Sequence, residues 1–384
     1  MEKIFITQAQ QGYCGQLQLT RTTFMDAYMA LLNGQPVEQE ELVPRYALNQ
    51  SYPHFKTAFC ELQPEIANST SVQTALAAAY ERILYFGYIA DVTAEYQQFQ
   101  IPKRSGGFRT INAPSPRLKE IQRTVVSALT YDLHMHPHEA AHAYITGRSP
   151  KTSLEIHQAN KSNWFLKLDI KDFFPSCTKD FVVAQLSRLY PLCLRAQNFT
   201  RTWGFDNCFL NNALPQGAVS SPLLSNLTML PIDFAMGVLS KEFHQRFIYT
   251  RYADDILISS EFAFDFHAIE EYVSSVVFKD TPFKIKHEKT RYGSIAGQNW
   301  NLGLMLNKDN QITVGHQRKE IFKHSVFNLL TDYKNHIAWS AEDKLSLGGM
   351  RSYIQNIEPD YVKGVIDFYE KKIGVRWADA IKIL

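Results

Sequence analysis

Asp254 and Asp255 stand side by side in the run FIYTRYADDILISS, residues 247–260. Two adjacent carboxylates repel each other and are costly to bury unless a cation is shared between them. Hard divalent ions such as Mg²⁺ take oxygen ligands, so a carboxylate pair on a rigid support suits one. A solvated Asp-Asp turn is the competing account, because Asp is a common turn former. A further acid, Asp169, interrupts the apolar run WFLKLDIKDFFPS, residues 164–176. Phe165, Leu166, Leu168 and Ile170 predict a buried strand there, and a lone carboxylate in such a strand is expensive. Asp169 is therefore either paired with an arginine or bound to a cation. Asp172 follows near the strand's end, with Phe173, Phe174 and Pro175 closing the segment.

These acids need elements to hold them. Phe247, Tyr249 and Arg251 alternate with Ile248, Thr250 and Tyr252, and Ile256 and Ile258 alternate with Leu257 and Ser259. That is the period of extended chain, so Ala253-Asp254 falls at a tight turn and the acid pair at a hairpin tip. A second hairpin is predicted from residue 99: a short strand, Lys103-Arg104, the turn Ser105-Gly106-Gly107, and a return strand over 108–113 carrying Arg109. Its cations could clamp phosphates. Residues 117–129 read as a helix, and YITGRS (144–149) as a Gly-containing turn with Arg148. After a helix over 179–189, Leu214-Pro215-Gln216-Gly217 is a turn whose glycine permits close backbone approach. Ser220 or Ser221 then caps a helix with Pro222 in its first turn and an apolar face of Leu223, Leu224, Leu227, Leu230 and Phe234. A helix over 262–278, a basic strand and turn over 283–292 and a strand over 301–306 follow. Three amphipathic helices complete the chain from residue 314. Helices are also expected at 23–32 and 72–90. His134, His136, His138 and His142 cluster, but H-x-H-x-H lacks the helical spacing of zinc motifs and Pro137 breaks it.

If the strands bearing Asp169 and Asp254 are neighbours in one sheet, their acids can share two Mg²⁺ ions about 3.5–4 Å apart. That arrangement serves nucleotidyl transfer, in which a primer 3′-hydroxyl attacks an α-phosphate and pyrophosphate leaves. The basic hairpin would then neutralise the triphosphate, Lys289 would face the leaving group, and the basic helices would hold a nucleic-acid backbone without reading its sequence.

Seven blocks in order across residues 99–306 make the chain resemble a prokaryotic reverse transcriptase: IPKRSGGFRTI with Gln122, GRS, KLDIKDFFPS, LPQGAVSSPLLSNL, YTRYADDILIS, HEKT and NLGL. The resemblance implies an α+β right hand, with fingers at 96–163, a palm with an antiparallel sheet at 164–306 and a helical thumb at 307–384. A helical extension over 1–95 precedes them. It also implies catalysis by Asp169, Asp254 and Asp255 and metal ligation at Asp169, Ile170, Asp254 and Asp255, with two Mg²⁺ ions and Mn²⁺ as an alternative. Nucleotide contacts fall at Lys103, Arg109, Phe174, Gln216 and Lys289, Phe174 being where the family keeps an aromatic that blocks a ribose 2′-hydroxyl. Nucleic-acid contacts fall at Arg104, Arg148, Tyr252, Arg318, Lys319 and Lys323. The implied partners are dNTPs, a noncoding RNA template and nascent cDNA, with a second copy or an effector protein in addition.

Within that family, no DNA-binding or H-N-H domain follows the thumb, which points to retron-type and phage-defence enzymes. Two retron features are altered: residues 155–159 read Glu-Ile-His-Gln-Ala in place of N-A-x-x-H, and Asn301-Leu302-Gly303 replaces V-T-G. The expectation is a defence-type enzyme copying a noncoding RNA, with a retron enzyme making msDNA second. A template-independent polymerase and a non-catalytic RNA-binding protein are the rivals on the same fold.

Composition agrees with a folded chain of two or three units: 384 residues, 45% hydrophobic and 20% charged. Residues 1–100 hold five Lys/Arg against ten Asp/Glu, leaving 35 against 28 in the remainder. A basic body permits a polyanionic partner. The start carries no signal-like apolar core and no run of 18 apolar residues occurs, so neither secretion nor a membrane span is expected. Five cysteines without C-x-x-C spacing predict reduced thiols and a cytoplasmic setting.

Overall fold

The computed structural model describes residue 89 and residues 91–102, 106–132, 135–187, 203–294 and 303–382. The expected helix 23–32, all of the expected helix 72–90 except residue 89, and most of the 1–95 extension lie outside the described residues. So do Lys103, Arg104, His134, Asn301 and Leu302.

The first hairpin pairs β1 (Tyr96–Pro102) with β2 (Phe108–Pro114), from Tyr96 opposite Pro114 to Pro102 opposite Phe108. Ser115 ends it and caps α1 (Pro116–Ser127), its Oγ accepting from the Leu118 N–H at 3.1 Å. Leu118, Ile121 and Val125 bury the inner face of α1. Gln122 is buried beside them, and its Nε2 donates to the Asn207 carbonyl at 3.2 Å while its Oε1 accepts from the Val219 N–H at 3.0 Å.

α2 (Pro150–Ala159) opens with a reciprocal Ser149–Thr152 capping box and leads to β3 (Trp164–Asp169). α3 (Lys179–Leu186) follows. The apolar run after residue 220 was expected to be one helix, but it forms two, α4 (Ser221–Thr228) and α5 (Leu230–Met236). Pro231 has no N–H to continue the ladder, and the chain bends by 44° there. Ser220 holds the N-cap position of α4 without a side-chain capping bond, and Ser221 instead donates to the Pro215 carbonyl at 2.7 Å. β4 (Ile248–Tyr252) and β5 (Asp255–Ser260) flank the two-residue turn Ala253-Asp254, as their alternation predicts. α6 (Phe266–Tyr272) starts four residues later than expected, because Asp265 caps it by accepting from His267 N at 3.0 Å and Ala268 N at 3.2 Å. β6 (Arg291–Ser294) completes a four-stranded sheet of order β4-β5-β3-β6, with β6 antiparallel to β3. Its central strands carry the buried Phe165, Leu166, Leu168, Ile256, Leu257 and Ile258. Each contributes roughly 1.5–3 kcal/mol by leaving water.

The chain divides into two compact units. One comprises the described residues up to Thr146 with Leu168–Ile256 and Asp265–Thr290, and the other Gly147–Lys167, Leu257–Phe264 and Arg291–Leu384. In the second unit a short pair, β7 (Met305–Leu306) and β8 (Ile312–Thr313), precedes the three expected helices α7 (His316–Lys334), α8 (Ala341–Ile357) and α9 (Pro359–Ile373). A fourth helix, α10 (Trp377–Ala380), was not anticipated; it adds the buried Trp377 to a core of Phe322, Val326, Leu330, Leu347 and Ile354. Among the described residues no single helix is long and apolar enough to cross a membrane.

Candidate active site

Asp169 ends β3 with 6% of its surface exposed, and Asp254 is the second residue of the turn between β4 and β5. The next backbone amide after Asp169, that of Ile170, donates to the Asp254 carbonyl at 2.9 Å. The two acids are thus locked together through the main chain although 85 positions separate them. On its other side, the Asp169 carbonyl accepts from Lys286 N at 2.8 Å, and Lys171 N donates to the Lys284 carbonyl at 2.8 Å. This pairing aims the short His287–Lys289 turn back at the acids, and Lys289 Nζ reaches Asp169 Oδ2 at 2.7 Å. Asp255 opens β5 half-buried.

Burial pushes the Asp254 carboxyl above its ordinary range, and the negative charges of Asp255 and Asp169 push it further, with Lys289 opposing. The Lys289 ammonium is raised: burial works against it, but the hydrogen bond and charge of Asp169 prevail. Mutually repelling carboxylates of this kind are what a divalent cation relieves. Among the described residues no three acid, histidine or cysteine side chains form a ready cage for an ion. Asp169, Asp254 and Asp255 are the carboxylates that this site brings within electrostatic reach of one another.

A cleft of about 1390 Å³ opens in front of the acids. Asp169, Asp254, Arg109, Phe174, Gln216 and Lys289 all line it. Arg109 comes from β2. Phe174 stands in the helical turn Phe173–Ser176, entered through Asp172 in a left-handed conformation, φ 46°. The Gln216 carbonyl accepts from Asn112 N at 2.7 Å, bolting the Gln-Gly turn to β2. Gly217 is required there: its φ is 109°, and a Cβ would lie 2.7 Å from the Asn112 carbonyl oxygen.

Behind the turn lies a buried polar hub that reading the sequence missed. Arg251, fully buried, donates from Nε and Nη2 to the Asp233 carboxylate at 2.9 and 2.8 Å. Its Nη1 donates to Asn226 Oδ1 and to the Ala253 carbonyl, both at 3.1 Å. Tyr249 donates its hydroxyl to Asp233 at 2.5 Å. Arg251 thereby grips the turn that presents Asp254. The signal was available, since Arg251 sits on the same strand face as Phe247 and Tyr249, where an apolar residue would be expected.

The remaining expected residues have other surroundings. Tyr252 ends β4 half-buried and does not line the cleft, nor does Arg148, half-buried just before α2. In the second unit, Arg318 donates to the Gly303 carbonyl at 3.2 Å and lies over the Tyr353 ring, while Lys319 pairs with Glu358 at 2.5 Å. Lys323, 43% exposed, faces Glu320 at 3.7 Å. Of the histidine cluster, His138 is buried edge-on against Phe234, and its Nδ1 accepts from Ala140 N at 3.1 Å. His142 is buried as well.

The sequence profile described as "Reverse transcriptase (RNA-dependent DNA polymerase)" matches residues 101–323. The Retron Ec83 reverse transcriptase of Escherichia coli is 29% identical over 325 residues, which cover 82% of this chain and 98% of that protein. The Retron Mx65 reverse transcriptase of Myxococcus xanthus is 32% identical over 240 residues, 59% of this chain and 53% of that one. Among solved structures, apo telomerase from Candida tropicalis aligns over 97% of this chain and 75% of that chain, with a TM-score of 0.45 and 11% identity.

Proposed function

Because the chain belongs to the reverse transcriptase family of RNA-dependent DNA polymerases, we propose that it is a retron-type enzyme that copies a partner noncoding RNA into DNA in anti-phage defence. The retron relatives favour the reading that the altered N-A-x-x-H and V-T-G positions had put second. Fingers over 96–163, a palm over 164–306 and a thumb over 307–384 belong to this proposal.

In the reaction, the primer 3′-hydroxyl oxygen bonds to the α-phosphorus of a dNTP. The bond from that phosphorus to the β-bridging oxygen breaks, and pyrophosphate leaves. Asp169, Asp254 and Asp255, with the Ile170 carbonyl, would hold the divalent ions, taken as two Mg²⁺ with Mn²⁺ as an alternative, whose chemistry when bound would be to neutralise the phosphates and lower the pKa of the attacking hydroxyl. Arg109 and Lys103 receive the triphosphate, and Lys289 balances the negative charge of the leaving group. The Gln216 turn forms a wall of the nucleotide pocket, and Phe174 excludes a 2′-hydroxyl. Arg104, Arg148, Tyr252 and Lys323 contact the nucleic acid.

The observation that carries this reading is the bond from the Ile170 amide, next after Asp169, to the Asp254 carbonyl, which brings both acids into a cleft also lined by Arg109, Phe174 and Gln216. Purifying the protein from its host and sequencing the RNA and DNA that accompany it tests the proposal. One dominant noncoding RNA with complementary DNA is the expected result. DNA with no complement in the bound RNA would overturn RNA-templated synthesis here, and bound RNA with no DNA would favour the non-catalytic reading.

A further inference from the structure

The cleft has a second aromatic wall that none of these roles uses. Tyr144 lines it with Asp169, Asp254, Phe174 and Arg109. The ring is 52% exposed, and its centroid lies 6.2 Å from that of Phe174 at a tilt of 54°. The Tyr144 backbone is left-handed, φ 63°. That conformation is costly for a bulky L-residue and persists only where surrounding structure over-determines it.

Here the surroundings do so. Arg251 N donates to the Ala140 carbonyl and His142 N to the Arg251 carbonyl, each at 2.7 Å. Asn226 Nδ2 donates to the Ala143 carbonyl at 3.0 Å. The residues leading into Tyr144 are thus fastened to β4, just before the turn that carries Asp254, and to α4. A glycine would satisfy that backbone at no steric cost, yet the position holds an aromatic ring facing open space.

The charges around the phenol show what that space would hold. Burial and the Asp254 carboxylate push the phenol's pKa up, and the Arg109 and Arg251 guanidinium groups pull it back. The ring shares the cleft with the Asp169 and Asp254 carboxylates and with the Arg109 side chain. A nucleotide with its α-phosphate at the acids and its outer phosphates at Arg109 has its sugar beside this ring and Phe174. We propose that Tyr144 is a substrate-contacting residue that forms, with Phe174, the two walls of a deoxyribose pocket, so that sugar selection belongs to the pair. The inference rests on the nucleotide-pocket reading above and deepens it.

Incorporation of dTTP and of rUTP on poly(rA) primed with oligo(dT) tests it. The full-length protein is compared with Tyr144→Phe, Tyr144→Ala, Tyr144→Gly and Phe174→Ala. The glycine variant relieves the φ strain, so it carries the test if the alanine variant misfolds. Tyr144→Phe, which keeps the ring, should retain more of the dTTP-over-rUTP selectivity than Tyr144→Ala or Tyr144→Gly. Tyr144→Ala or Tyr144→Gly should raise the KM for dTTP about tenfold with a smaller change in kcat, and should lower dTTP-over-rUTP selectivity. Phe174→Ala should lower the same selectivity, and the double variant should lose less than the product of the single losses. Unchanged KM and selectivity in Tyr144→Gly, with selectivity lost in Phe174→Ala, would overturn the role of Tyr144 and leave the Phe174 gate standing. Unchanged selectivity in Phe174→Ala would overturn the pair and the pocket reading together.

Discussion

Asp254 is held where its charge is unwelcome, half-buried and within electrostatic reach of two other carboxylates. Asparagine keeps its shape and removes the repulsion, so Asp254→Asn should fold as well as the parent. Mg²⁺-dependent dTTP incorporation should nonetheless fall by at least about 10²–10³-fold, since a charge aimed at the reacting phosphates is gone. Circular dichroism and RNA filter binding should stay close to the parent values, and full polymerase activity would remove the shared-ion scheme. The thiols behave oppositely. Cys177 and Cys208 are free and buried, and burial pushes Cys208 up to about 12. At pH 8 neither thiol should react with a disulfide reagent until the protein is denatured. The sign follows from a folded pKa above the unfolded one: the stability Cys208 contributes is whole below the ordinary thiol pKa and erodes as pH rises towards about 12. At this scale Asp169 and Asp254 were legible because a charge inside an apolar run is conspicuous. Tyr144 was not, because nothing in YITGRS marks a left-handed backbone at its tyrosine.

The β4–β5 hairpin shows what a strand pattern reveals and what it hides. Alternation predicts the two strands and the Ala253-Asp254 turn, and the structure has both. It says nothing of Arg251, whose partners Asn226 and Asp233 lie on α4 and α5, on either side of the bend before Pro231. The single helix expected from the Leu223–Phe234 pattern failed at that bend, since an apolar stripe is blind to a missing N–H. Gly217 was read correctly as a point of close approach, although its neighbour, the Asn112 carbonyl on β2, comes from a hairpin about a hundred positions away. The hub makes its own prediction. Arg251→Met leaves Asp233 buried and unpaired, and should destabilise the protein by roughly 3–5 kcal/mol. Adding Asp233→Asn should recover part of that loss in a urea titration. No recovery would mean that Arg251 acts by packing rather than by charge.

Across the whole molecule, the basic excess after residue 100 invites the view that every cation on the last helices serves RNA, and the second unit argues otherwise. Lys319 is only 24% exposed and pairs with Glu358, whose carboxylate also accepts from the Thr313 hydroxyl at 2.8 Å and from Val314 N at 3.0 Å. Through these bonds Glu358, at the start of α9, ties β8 to α7. Lys323, one turn along α7, faces Glu320 at 3.7 Å. Periodicity places both lysines on one helix but cannot tell which of them a distant glutamate has taken, so sequence alone assigned them the same task. Replacing each by methionine separates the roles. Lys319→Met should lower stability by roughly 1.5–3 kcal/mol, the worth of a charged hydrogen bond, and leave RNA affinity near the parent's. Lys323→Met should change stability by no more than about 0.5 kcal/mol. It should weaken RNA binding irrespective of sequence and make the slope of log affinity against log salt shallower by about one phosphate contact. Thermal unfolding read beside filter binding at several salt concentrations distinguishes the two. If Lys319→Met instead weakens RNA binding without lowering the unfolding temperature, the Glu358 pair opens in the complex and that lysine belongs to the RNA.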